Sequence, residues 1–126
     1  MQFVRKSNLP FVTVSVTHAG QTVTISDVLI DTGSAATILA IDSLAPLGIQ
    51  PEPNDTLYNI RGVGGSEVVF LRRIDVVTVG NQALNDFEIE VGGMDYGFEI
   101  NGILGMDYLT TARATISLAD DTIVFG

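Results

Sequence analysis

The sequence predicts an all-β fold, and three observations carry the prediction. Apolar and polar residues alternate strictly from Phe11 to Thr17 and again from Thr22 to Ser26, as in strands with one buried face. Turn residues punctuate the apolar runs at short intervals, at His18-Ala19-Gly20-Gln21, Gly80-Asn81, Gly92-Gly93, Tyr96-Gly97 and Asp120-Asp121. Only Met106 to Arg113 has the composition of a helix. At 126 residues the chain is long enough for one domain, 1–126, and too short for two.

Taken in order, the first two strands form a hairpin with Val12, Val14, Val16, Val23 and Ile25 inside. His18, the one histidine, is expected as a solvated residue at its tip and not as a base or ligand. Val28-Leu29-Ile30 is an apolar run that reads as a buried strand, and Thr37-Ile38-Leu39 as a short one. Asp42 is expected to cap a helical turn from Ser43 to Leu47, kept short by Pro46 and ended by Gly48. Pro51, Pro53, Asn54 and Asp55 make a loop before strands resume at Leu57.

Gly62, Gly64 and Gly65 fall within four positions, which raises the question of a phosphate loop. No lysine follows Gly65 and a strand, not a helix, comes next, so a glycine-rich hairpin tip fits better. Strands then span Val68 to Val79 and Ala83 to Val91. On the latter, Asp86, Glu88 and Glu90 share one face opposite Phe87, Ile89 and Val91. That acidic face is read as solvated and not as a metal site, because nothing else converges on it. Ile103-Leu104 is a short buried strand, and Ala114 to Leu118 and Thr122 to Phe125 close the chain.

Acidic residues number 15 against 6 basic ones, a formal net charge of -9, which repels nucleic acid. The absence of cysteine excludes disulfides, thiolate metal sites and a cysteine nucleophile. No apolar run is long enough to cross a bilayer, and the first residues lack a signal-peptide core. A soluble chain without membrane contact is expected, most simply cytoplasmic.

Asp31-Thr32-Gly33-Ser34 is where chemistry is expected. The acid follows an apolar strand, where a carboxylate is costly unless it is hydrogen-bonded, paired or protonated. Gly33 allows close backbone approach, and Thr32 and Ser34 supply hydroxyls. A plain turn capping a strand is the alternative, weakened by the apolar run that precedes it. Other chemistries of such motifs fit less well. An actin-like or sugar-kinase ATPase needs a longer chain and a second phosphate loop. An aspartyl-phosphate enzyme needs a further acid after Asp31 and a downstream lysine.

Asp31-Thr32-Gly33-Ser34, the glycines at 62–65 and Ile103-Leu104-Gly105 form an ordered triplet that resembles the retropepsin-like aspartic proteases. The resemblance runs from Val28 to Leu109. It implies the acid-protease fold: a closed β-barrel with one short C-terminal helix and a glycine-rich flap hairpin at Gly62-Val63-Gly64-Gly65. It implies a homodimeric endopeptidase without cofactor or metal, in which Asp31 of each of two copies forms the catalytic dyad and Thr32 bonds across the two-fold axis. The terminal strands, Phe3-Val4 and Thr122 to Phe125, would interleave between subunits. Leu29, Ala35, Ile38, Ile60, Gly62, Val63, Gly64 and Ile103 would contact an extended, apolar-flanked polypeptide. Retroviral relatives carry a paired acid and arginine where this chain has Ala35 and Met106, so a different polar contact is expected here. They also carry Ala where Ser34 stands; its hydroxyl is expected to donate to Asp31, lower its pKa and move activity into acid. A non-catalytic dimerisation or peptide-binding module on the same fold is the alternative.

Overall fold

The computed structural model describes the chain except residues 63–64 and 95–98, with backbone alone at 61, 62, 65 and 66. Among the described residues ten strands form: β1 (Val4–Lys6), β2 (Leu9–His18), β3 (Gln21–Ile30), β4 (Ile38–Ala40), β5 (Tyr58–Gly62), β6 (Gly65–Val79), β7 (Gln82–Gly92), β8 (Gly102–Leu104), β9 (Ala114–Ser117) and β10 (Thr122–Phe125). Two short helices interrupt them, α1 (Ile41–Leu44) and α2 (Met106–Thr111), so the all-β expectation holds. Eight strands share one sheet in the order β1-β2-β3-β8-β4-β7-β6-β5, and β2 pairs a second time, with β6. The β3–β8 and β4–β7 pairs are parallel.

A register shift in the first hairpin governs everything downstream. Val14 pairs with Ile25 but Val12 pairs with Val28, so Ser26 and Asp27 together stand opposite Thr13. Asp27 takes a left-handed φ of 58° at this bulge. An extra residue reverses which side of the sheet the following side chains face. Ile25 therefore points into the main core with Val14, and so do Val28 and Ile30 beyond the bulge. Leu29 faces the other way, into a second cluster. Asn101, far along the chain, grips the bulge from outside: its side-chain amide donates to Ser26 O at 2.9 Å and its backbone N–H to Asp27 O at 3.0 Å.

The main core buries Val14, Val16, Val28, Leu39, Leu104, Tyr108 and Ile123 from solvent altogether. Tyr108 sits edge-on to Phe87 and Phe125, at centroid distances of 5.5 and 6.3 Å. Its hydroxyl donates to Gln82 O at 2.8 Å, and burial pushes its pKa up to about 12. The second, smaller cluster comprises Phe11, Ile38, Ala40, Met94 and Ile100, with the partly buried Leu29, Ile60 and Ile103 packed on it. Phe11 shares the alternation of Thr13 and Ser15, yet it is buried, because β2 has apolar neighbours on both faces at that end.

Several local expectations are corrected. Asp42 does not cap α1: Ala40 occupies the N-cap with no side-chain bond, because β4 runs directly into the helix and leaves Asp42 in its first turn. A 3-10 turn, Ala45–Leu47, follows with Pro46 near its start, and Gly48 ends it at φ 76°, its N–H on Ala45 O. The C-terminal helix stops at Thr111, short of Arg113, whose φ of 55° is incompatible with continuation. His18 closes β2 and is half-buried, its Nδ1 3.8 Å from Asp75 Oδ2, instead of lying free at a tip. Glu90 leaves the solvated acidic face, as described below.

Within this chain the termini pair with each other. β10 lies antiparallel to β9, and Gln2 bridges to Thr122 on the other side. Phe3 N–H donates to Asp121 O and Ile123 N–H to Met1 O, both at 2.9 Å. The expected glycine-rich tip at Val63 and Gly64 lies outside the described residues, as does the loop at Tyr96-Gly97. The flanking ladder is described, with Tyr58 opposite Val69 and Gly62 opposite Gly65. No helix among the described residues is long and apolar enough to cross a membrane.

Candidate active site

Asp31 follows β3 directly, and its N–H donates to Leu104 O at 3.0 Å, continuing the parallel ladder in which Leu29 pairs with Ile103 and Ile30 with Leu104. The chain then turns sharply: Ser34 N–H closes on Asp31 O at 3.2 Å, and Gly33 N–H donates to Asp31 Oδ1 at 2.9 Å. Asp31 is half-buried, while Thr32, Gly33 and Ala35 are exposed.

The segment after β8 grips this loop from below. Met106 N–H donates to Ser34 O at 2.8 Å, and Asp107 N–H to Ala35 O at 3.1 Å. Gly105 is obligatory here, because a Cβ would meet the Ala36 carbonyl oxygen at 2.4 Å, and backbone cannot give way. This is the physical content of the apolar-apolar-glycine motif.

The structure corrects the expectation for Ser34. Its hydroxyl donates to Ala36 O at 2.8 Å, so its one proton is committed to the loop's own backbone and not to Asp31. The Ser34 hydroxyl therefore gives no ground for an acid-shifted profile.

The polar contact expected in place of the Ala35 and Met106 positions lies further along both segments. Thr37, fully buried, donates its hydroxyl to Asp107 Oδ1 at 2.7 Å and its N–H to Asp107 Oδ2 at 3.1 Å. The same hydroxyl oxygen accepts Gly105 N–H at 3.0 Å. Sequence reasoning passed over both residues. The available signal was an acid in the first turn of the late helix and a lone threonine heading an apolar strand. Thr37 O also accepts Glu90 N–H from β7 at 2.9 Å. Burial, with Asp107 and Glu67 nearby, raises the Glu90 carboxyl above its usual range. Its Oε2 is out of contact with water and unbonded among the described residues.

Of the expected substrate-contacting residues, Leu29, Ile38, Ile60 and Ile103 are brought together in the smaller cluster. Ile38 pairs with Ile103 across β4 and β8, and Ile103 with Leu29 across β8 and β3. Ala35 stands apart from them on the exposed loop. Gly62 ends β5, and Val63 and Gly64 are outside the described residues. On the opposite flank of the loop, Thr32 borders a shallow groove with Met106, Leu109, Arg113 and Ile116.

Among family models, one described as aspartyl protease matches residues 13–108, a span that includes Asp31, the loop and the glycine motif. The chain belongs to this family, which is of the retropepsin-like clan. The match takes in β3, β8 and the start of α2, the three elements that hold Asp31 in place. No curated protein is similar enough to the chain to count as a match.

Proposed function

We propose that this protein is an aspartic endopeptidase working as a homodimer, with Asp31 of each copy contributing one carboxylate to a shared dyad. The observation that carries the proposal is the placement of Asp31. It stands at the end of β3 beyond a bulge that turns Leu29 onto the smaller apolar cluster, with one carboxylate oxygen held by Gly33 N–H. The chain contains one Asp-Thr-Gly motif, and the chemistry needs two acids. One, ionised, draws a proton from water; the other, protonated, polarises the scissile carbonyl and helps protonate the leaving amine. Two carboxylates a few Å apart do not both ionise readily, so the pair holds one proton over its working range.

The second copy fits against the flank where Thr32 is exposed beside Met106, Leu109 and Ile116. Leu29, Ile38, Ile60 and Ile103 would then receive apolar side chains of an extended peptide, and the β5–β6 hairpin would cover it as a flap. The second pairing of β2, with β6, supports the family's closed barrel.

The test is digestion of a diverse peptide pool across pH by the wild type and Asp31→Asn, with cleavage read by mass spectrometry. Wild-type cleavage blocked by a transition-state-mimicking aspartic protease inhibitor is expected. The Asn variant should lose about a thousandfold or more in kcat/KM, with unchanged circular dichroism and sedimentation. Near-wild-type activity in that variant would overturn the reading. Peptide binding without cleavage at any pH would favour the non-catalytic module.

A further inference from the structure

We infer that Thr37 and Asp107 act as a positioning pair for the reaction, setting the geometry of the loop that carries Asp31. The inference rests on the protease reading for its kinetic consequence, though not for its structural one.

The loop from Asp31 to Thr37 needs a support on both ends. At its first end Asp31 is fixed by Leu104 O through the strand ladder. Among the described residues its middle is joined to the next segment by backbone bonds alone, from Met106 to Ser34 and from Asp107 to Ala35. At its far end the support is a two-pronged side-chain contact. Both oxygens of Asp107 accept from Thr37, one from the hydroxyl and one from the backbone N–H. Tyr108 N–H donates to the same Asp107 Oδ1 at 2.7 Å, which fixes the carboxylate on α2.

Thr37 in turn is a junction. Its hydroxyl both donates to Asp107 and accepts from Gly105 N–H, and its carbonyl accepts from β7 through Glu90. Every hydrogen-bonding group of this fully buried residue is thereby used, in three directions. A charged acceptor taking two donors from one residue is both strong and directional. Lateral movement of Thr37 would carry Ala36 with it, and with Ala36 the carbonyl that holds the Ser34 hydroxyl. Neither side chain has been assigned to the reacting atoms; they act through the loop. Displacing a catalytic group by about 1 Å can cost on the order of a hundredfold in rate, so such supports matter to turnover.

The experiment compares wild type with Thr37→Val, Thr37→Ser and Asp107→Asn by two readouts on the dimeric protein. Val keeps the shape but removes the hydroxyl, Ser keeps both donors, and Asn turns an amide towards one of them. Amide hydrogen exchange of residues 32–36 should quicken about tenfold or more in the Val and Asn variants, with β2 and β3 unchanged. In the same variants kcat should fall about tenfold with KM within about twofold, and Ser should recover most of the turnover. Unaltered loop exchange, exchange quickening equally throughout the chain, or an unchanged kcat would each overturn the inference. If Thr37→Val does not fold, Asp107→Asn decides alone. A wild type that cleaves nothing sinks the protease reading and leaves the exchange measurement to judge the pair.

Discussion

β8 serves two apolar regions at once. Leu104 enters the main core, where it is wholly buried with Val28, Leu39 and Tyr108. Ile103, its neighbour, turns to the smaller cluster with Leu29, Ile38 and Ile60, where it remains partly exposed. The same division runs through β3, where Ile30 goes inward and Leu29 outward, and through β4, where Leu39 and Ile38 part in the same way. One side of these strands is closed and supports the fold. The other keeps apolar surface partly uncovered on the side towards which Asp31 follows, so burial there is left for something else to complete. A site built from strand ends inherits rigidity from the closed side without sacrificing access on the open one.

Truncating a side chain on each side in turn separates the two regions most directly. Leu104→Ala should cost about 3 kcal/mol of stability through a cavity in a closed core. Ile103→Ala should cost about 1 kcal/mol, because its side chain is already partly in solvent. Its larger effect should be on KM for apolar-flanked peptides, raised about tenfold. Urea unfolding and steady-state kinetics on both variants decide; equal stability losses would mean that the two clusters are one core.

Tyr108 sharpens the same contrast through pH. Burial raises its phenol from the ordinary 10.0 to about 12, so the folded state holds the proton more tightly than the unfolded one. The associated stability is fully present below the unfolded value and is lost as pH climbs from about 10 through about 12. Tyr108→Phe should cost about 1 kcal/mol at neutral pH, by orphaning the Gln82 carbonyl, and should remove this alkaline component. Unfolding curves of both proteins between those values make the check. Parallel pH dependences would show that the hydroxyl is not the group responsible.

The smallest effect belongs to Glu90, at the back of the site. Burial is the largest cause of its raised pKa, followed by Asp107 and Glu67. Its proton is likewise held more tightly in the folded state. Its stabilising contribution is therefore present below the usual carboxylate range and lost as pH rises through its elevated value. Glu90→Gln, neutral at every pH, should raise Tm at neutral pH and change it little in acid. Because the residue is only part-buried, screening keeps the gain on the order of 2 °C. A Tm increase that persists unchanged below pH 4 would assign the effect to packing instead.

The strands follow from the sequence alone, since an alternation of period two and a turn dipeptide are local properties that act within a few residues. It also marked Asp31 and Gly105, because an acid after an apolar run and a glycine before a helix are chemically conspicuous wherever they stand. What it left open depended on partners distant in the chain. Continuing the alternation of Val23 and Ile25 without interruption would send Asp31 into the main core. Only the bulge at Ser26-Asp27 reverses that, and it is gripped by Asn101, 75 residues away. The sequence pointed the proton of Ser34 at Asp31, and the curl of the loop brought Ala36 O to it instead. Thr37 and Asp107 lie 70 residues apart, and neither is distinctive alone. Glu90 reads as one more acid on a polar face until the fold joins its backbone to Thr37 and brings Asp107 near its carboxyl. Hydrogen bonds form between whichever groups the fold brings within about 3 Å. Which groups those are is decided by register and crossing of strands, and a single inserted residue changes all of them.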